Sequence, residues 1–285
     1  IILYYKFTPV TDPDMTMRWQ RELCTRLNLK GRVIVNEHGI NGTLGGDTDD
    51  LKSYKKAMNA SVVFKDIEYK WSDGSRDDFP RLSIKVRDEL VTLEPSKKFD
   101  VFDRGTPLRP KAWHEHLTKN PDALIIDARN DYESGIGKFK GALTPKIKTF
   151  RDIKPEIDKL PKDQPVYTYC TGDIRCEYIS AYMKNEGFKD VYHLEGGIVK
   201  YGQEFKDDGL WEGKCYVFDK RKNLAFSEKS QDIGKCVHCK KSTSHQVDCD
   251  NPECSLQIIV CENCEPKKTH CFNHIRRSKV VRKVP

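Results

Sequence analysis

Two groups of residues in this chain have the types and spacing to do chemistry, and both are built on cysteine. The first is the run Tyr169-Cys170-Thr171-Gly172-Asp173-Ile174-Arg175-Cys176. Val166 to Tyr169 reads as a buried parallel strand and the residues after the loop as a helix, so Cys170 stands at a strand's carboxyl end, just before a helix N-terminus. Successive loop N–H groups make an anion-binding nest, the helix dipole adds partial positive charge, and Arg175 adds a full one. A sulfur held there is expected to have a lowered pKa and to persist as thiolate or persulfide. Cys170 is therefore the expected nucleophile and Arg175 its cationic partner, with Thr171, Gly172, Asp173, Ile174 and Cys176 forming the anion cradle. The plainer alternative is a buried, inert thiol.

The second group lies near the carboxyl end, where seven of the 11 cysteines are concentrated. Candidate ligands fall in four pairs: Cys236-x2-Cys239, Cys249-x4-Cys254, Cys261-x2-Cys264 and Cys271-x2-His274. Eight ligands suffice for two tetrahedral zinc sites, closed and hence structural rather than catalytic. A single filled site, or reduced cysteines without metal, is the alternative. The other four, Cys24, Cys170, Cys176 and Cys215, are scattered, and an odd total with no secretory leader in view argues against a disulfide framework.

Charge adds a third feature. Lys and Arg outnumber Asp and Glu by 50 to 43, and the whole excess sits in Lys267, Lys268, Arg276, Arg277, Lys279, Arg282 and Lys283, in a stretch without acids. Such a tail either follows a phosphate backbone or keeps the chain solvated.

These residues must be positioned by a chain of 285 residues, which predicts two or three domains. Apolar runs such as Ala123 to Ile126 fall far short of the ~18 residues of a membrane span, so a cytoplasmic protein without membrane contact is expected. Residues 1–94 read as strand, helix, two strands, helix and strand: Ile1 to Phe7, a helix from Asp12 and Pro13 to about Leu27, Gly31 to Val35, Gly39 to Gly45, a helix from Asp47 to about Ala60, and Ile67 to Trp71, with Leu82 to Val86 alternating after it. That order predicts a ferredoxin-like α+β domain. Gly39, Gly42, Gly45 and Gly46 lack the spacing of a phosphate loop and suit a hairpin. Residues 95–206 are expected to hold a proline-rich linker, Glu94 to Pro110, and then an open, mainly parallel α/β domain whose helix after Cys170 turns one face, Ile179, Tyr182 and Met183, to the core. Residues 207–285 comprise a strand-like connector, Trp211 to Asp219, the Cys-rich module and the basic tail.

The central stretch resembles the rhodanese superfamily. The resemblance is carried by the Cys170 loop, by Asp127-Ala128-Arg129-Asn130-Asp131-Tyr132-Glu133, by Gly137 to Ala142 with Lys138 where histidine is usual, and by Gly187-Phe188 and Gly196-Gly197. The loop is C-x4-R, one residue shorter than the phosphate-enclosing loops of related phosphatases, which favours a sulfur-sized cradle. Taken with Glu37-His38-Gly39-Ile40-Asn41-Gly42-Thr43, Trp211 through Asp219 and the terminal cysteines, the order resembles the TrhO (YceA-like, formerly UPF0176) family over nearly the whole chain. The resemblance implies a tRNA hydroxylase that uses molecular oxygen to make 5-hydroxyuridine at the wobble position, with Cys170 as the active cysteine. Here the basic tail would grip the RNA backbone and Phe272 would stack a base. Asp173 replaces a glycine of the family loop; its carboxylate is expected to oppose a neighbouring thiolate. No dinucleotide fingerprint or facial-triad spacing explains oxygen activation, although a cysteine added to C6 of uracil would enrich C5 in electrons. The alternatives are a sulfurtransferase working through a Cys170 persulfide, which needs only the central domain, and a non-catalytic binding module.

Overall fold

The computed structural model describes residues 1–93, 99–254, 256–265 and 271. Strand β1 (Ile2–Phe7), helix α1 (Pro13–Arg26), β2 (Lys30–Asn36), β3 (Gly39–Gly45), α2 (Thr48–Ala60) and β4 (Tyr69–Trp71) follow in the expected order, and β5 (Leu82–Val86) adds a further strand. They form one sheet in the order β4-β1-β3-β2-β5. Neighbours are antiparallel except β2 and β5. Asp12 caps α1 through the Met15 N–H at 2.8 Å, and Pro13 opens it where a missing N–H costs nothing.

The period-two alternation of β1 divides its side chains between two jobs. Ile2 and Tyr4 point into the domain's own core with Leu23, Val33, Tyr54 and Met58. Leu3, Tyr5 and Phe7 face the other way, toward the central domain, where Phe7 stacks on Tyr178.

The central domain comprises β6 (Thr106–Leu108), α3 (Pro110–Lys119), β7 (Leu124–Asp127), α4 (Asp131–Ser134), β8 (Gly137–Phe139), α5 (Lys154–Ile157), β9 (Val166–Tyr169), α6 (Ile174–Asn185), β10 (Val191–Leu194) and α7 (Gly197–Phe205). Strands β6-β10-β9-β7 form a parallel sheet. Alternate residues send Ile126, Val166 and Cys170 into one core with α6, and Ile125, Tyr167 and Tyr169 into another with α3 and α7. One expectation needs correction. The stretch Glu94 to Pro110 is more than a linker, because Thr106–Leu108 pairs with β10 as an edge strand, a place that tolerates Pro107. Helix α6 buries Ile179, Tyr182 and Met183 as expected, and Cys176, Tyr178, Ser180 and Ala181 as well, in a core shared with Leu90, Val91, Leu93, Val101 and Phe7.

Beyond α7, β11 (Trp211–Gly213) pairs with β8, and β12 (Cys215–Tyr216) with β13 (Asn223–Leu224). The hairpin of β14 (Gln246–Asp248) and β15 (Gln257–Ile259) carries the Cys-rich module. It docks on the central domain through Gln246 Nε2, which donates to Tyr132 O at 2.6 Å. Among the described residues no helix is long and apolar enough to cross a membrane.

Candidate active site

Strand β9 delivers Cys170 to the sheet's carboxyl edge, and α6 begins four residues later. Asp173 makes the turn with φ +85°, a left-handed conformation that Asp accepts more readily than most residues. The turn aims its own N–H at Cys170 Sγ, 3.1 Å away. Burial, with the residue 1% exposed, works against ionising Cys170. Hydrogen bonds from the Cys176 thiol and amide, together with the Arg175 charge, outweigh burial and bring the pKa down from 9.0 to about 6. Cys176, buried beside a sulfur already ionised, is pushed far up and stays a thiol donor.

Arg175 is not an open anion receptor. Its guanidinium forms a two-pronged pair with Glu133, at 2.6 and 2.7 Å, and touches Thr171 Oγ1 at 3.3 Å. Glu133 is fully buried, and these bonds hold it ionised against the cost of burial. Glu133 also accepts the Asn130 N–H at 3.1 Å, closing the capping box of α4. Ile174, the first residue of α6, packs against the core.

Asp173 does not leave its carboxylate loose beside the thiolate. It accepts from the Tyr5 hydroxyl at 3.0 Å and the Gly196 N–H at 3.1 Å, and it pairs with His193 Nδ1 at 2.8 Å. Burial raises its pKa, but the contact with His193 and the nearby Lys70 turn the net shift downward. Its repulsion of Cys170 remains, smaller than the contributions of the Cys176 thiol and of Arg175.

The N-terminal domain roofs this loop. Lys70 Nζ donates to Gly172 O at 3.0 Å, and Tyr5 also donates to Glu177 at 2.9 Å. Leu3 lies so close that a Cβ on Gly172 would stand 2.7 Å from its Cδ2, so a larger residue there would push the Leu3 side chain aside. Beside the roof a cleft of about 520 Å³ opens between the two domains, lined by Tyr5, Lys70, Phe102, Arg104, Glu177 and His193 among others. Arg104 pairs with Glu177 at its wall.

Sequence reasoning found the cysteine loop but not Tyr5, Lys70, Glu133 or His193 as its partners. Glu133 lay inside the acidic motif of the resemblance, which was the one available signal.

The three regions of the chain match three family models: the UPF0176 acylphosphatase like domain over residues 1–90, the rhodanese-like domain over 110–204 and the rhodanase C-terminal model over 212–275. Over 95% of its length the chain is 45% identical to the tRNA uridine(34) hydroxylase of Pseudarthrobacter chlorophenolicus and 46% identical to that of an Arthrobacter species, covering 96% of each. The chain belongs to the tRNA uridine(34) hydroxylase family. The corresponding protein of Corynebacterium urealyticum is 44% identical over 93% of this chain and 92% of its own length. The resemblance read from the sequence, and the three-part fold it implied, therefore hold.

As a family member the protein also carries the terminal cysteines, and the structure sorts them. Cys236, Cys239, Cys261 and Cys264 converge in one group and Cys249, Cys254 and Cys271 in another, with the sulfurs of each group within 4.8 Å of one another. The Cys239–Cys261 and Cys254–Cys271 sulfurs are 3.5 and 3.8 Å apart. Four sulfurs around a zinc at ~2.3 Å would lie about 3.8 Å apart, whereas a disulfide is near 2.05 Å. The donor sets therefore fit a thiophilic metal ion. The Cys271 N–H also donates to Cys249 Sγ at 3.3 Å, the kind of bond that steadies a thiolate. The ligand pairs interleave along the chain, first with third and second with fourth. His274 and the basic residues Lys267, Lys268, Arg276, Arg277, Lys279, Arg282 and Lys283 lie outside the described residues.

Proposed function

We propose that the protein converts uridine 34 of tRNA to 5-hydroxyuridine through Cys170. The observation that carries this reading is the 44–46% identity to tRNA uridine(34) hydroxylases along essentially the whole chain. A sulfurtransferase would need only the central domain, whereas all three parts are retained here.

Cys170 is the nucleophile. Its thiolate, available above about pH 6, adds to C6 of the uracil ring and leaves C5 electron-rich. Thr171, Gly172, Asp173, Ile174 and Cys176 shape the cradle, and Arg175, fixed by Glu133, contributes its charge rather than a direct grip on substrate. Molecular oxygen is the cosubstrate that supplies the new hydroxyl, its second oxygen leaving as water with two electrons and two protons drawn from an external reductant. Zinc in the two cysteine groups is structural, with His274 completing the second, and the basic tail holds the RNA backbone. A tRNA substrate makes the cytoplasm the working compartment.

The test is mass spectrometry of nucleosides from tRNA incubated with the purified protein under labelled dioxygen. The expected result is labelled 5-hydroxyuridine with the native protein and none with Cys170→Ser. Sulfur transfer from thiosulfate with unaltered tRNA would replace this reading by the sulfurtransferase one.

A further inference from the structure

His193 reaches the carboxyl edge of the central sheet on β10, beside the strand that delivers Cys170. Its ring is almost wholly buried, with Nδ1 on the Asp173 carboxylate at 2.8 Å. Asp173 serves both reactive side chains, since its N–H donates to Cys170 Sγ at 3.1 Å while its carboxylate holds the imidazole. Tyr5 and Gly196 fix the carboxylate from two further directions. An imidazole whose Nδ1 is committed to a buried carboxylate keeps Nε2 as its working nitrogen. His193 also forms part of the wall of the interdomain cleft.

Replacing the hydrogen on C5 of uracil by hydroxyl requires a proton acceptor, because that hydrogen must leave as a proton once the carbon has gained oxygen. The geometry points to His193 as the base that takes this proton, with Asp173 as its positioning residue. The inference rests on the reading of the protein as a uridine 34 hydroxylase acting through Cys170. With C6 bonded to the cysteine sulfur and C5 carrying the new oxygen, Nε2 removes the C5 proton. The C5–H electron pair becomes the C5–C6 double bond, and the C6–S pair returns to sulfur. The products are 5-hydroxyuridine, a Cys170 thiolate and a protonated His193, which passes its proton to water; nothing is oxidised or reduced in this step.

The other ionisable groups of the cleft are poorer candidates. Glu177 is engaged by Arg104 and Tyr5, and Glu68 by Lys200. Glu195 lies by Arg109 and Lys200. Lys70, whose pKa burial lowers, is held on Gly172 O, Lys6 donates to Lys65 O, Arg104 is committed to Glu177, and Asp66 is an exposed carboxylate at the rim.

The test compares His193→Gln with the native protein in single turnover, on tRNA carrying hydrogen or deuterium at C5 of uridine 34. Glutamine can still donate to Asp173 but cannot take a proton. The expected result is a rate lower by about 100-fold or more, the usual worth of a positioned base. Affinity for tRNA should stay within about twofold, a deuterium effect larger than the native one should appear, and a protein–tRNA adduct through Cys170 should accumulate. A merely structural histidine would alter stability or affinity and leave the isotope effect alone. Asp173→Asn, whose one remaining oxygen is claimed by the Tyr5 and Gly196 donors so that its NH2 faces Nδ1, should reproduce the slow, isotope-sensitive step and serves if the glutamine variant does not fold. A native rate with an unchanged isotope effect in either folded variant overturns the inference. A native protein that forms no 5-hydroxyuridine would instead sink the parent reading.

Discussion

Replacing Cys176 by alanine removes one donor from the active sulfur and leaves the Glu133–Arg175 pair and the Asp173 N–H in place. The drop in the Cys170 pKa from 9.0 to about 6 corresponds to about 4 kcal/mol in favour of the thiolate. After the opposing cost of burial, the Cys176 thiol is the largest contribution to that balance. A hydrogen bond to a charged acceptor is worth roughly 1.5 to 3 kcal/mol. Its loss should therefore raise the Cys170 pKa by about one to two units, to about 7 or 8. The assay is the alkylation rate of the peptide bearing Cys170, resolved by mass spectrometry and followed against pH; the roof alters its amplitude but not its midpoint. Stability carries the same signature. A group whose folded pKa is depressed stabilises the fold fully above its unfolded value and loses that contribution as pH falls through the folded one. The native contribution thus declines from pH 9 to about 6, and the decline in Cys176→Ala should end one to two pH units higher, by about the same margin. A native midpoint near 9, or one unmoved by Cys176→Ala, would refute this account of the cradle.

Metal analysis of protein purified without chelator should find zinc near two per chain, and about one if no fourth ligand completes the Cys249 group. Chelation should loosen the C-terminal module before the rest, and metal-free protein with that module intact would contradict the assignment. Replacing Lys267, Lys268, Arg276, Arg277, Lys279, Arg282 and Lys283 by glutamine removes the whole formal charge excess while sparing Cys271 and His274. Binding to tRNA should then weaken and lose much of its salt dependence while alkylation of Cys170 is unchanged. An unaltered salt slope would move RNA recognition to other surfaces.

Local features were legible in the sequence and cross-domain ones were not. The Cys170 loop could be read because strand, turn and helix start lie within a few consecutive residues, and β1 to β4 because alternation and turn residues mark them. The partners of the loop come from far along the chain: Glu133 is 42 residues from Arg175, and Lys70 is 102 from Gly172. A single sequence holds no record of which distant carboxylate or amine folds back on a given loop. Helix α6 shows the same limit: its periodicity placed Ile179, Tyr182 and Met183 in the core, but not the neighbours that share that core, Leu90, Leu93 and Phe7, which belong to the segment before the central sheet and to the N-terminal domain. Spacing likewise marked the cysteine pairs as candidate metal ligands without saying which would share an ion; the hairpin of β14 and β15 brings the first pair to the third and the second to Cys271.

The roof over Gly172 sets a condition on what the enzyme can accept. Before a pyrimidine can reach the sulfur, Leu3 must withdraw from the loop, and the bonds from Lys70 to Gly172 and from Tyr5 to Glu177 must rearrange. Each bond contributes on the order of 1 kcal/mol, more where a carboxylate is the acceptor. A free nucleoside has nothing beyond its ring and ribose with which to offset that opening. An anticodon stem-loop brings neighbouring bases and a run of phosphates that bind away from the reacting carbon, and binding energy from remote groups can drive such a rearrangement. Concealing the sulfur thus makes the size of the RNA, and not only the identity of one base, a requirement for turnover.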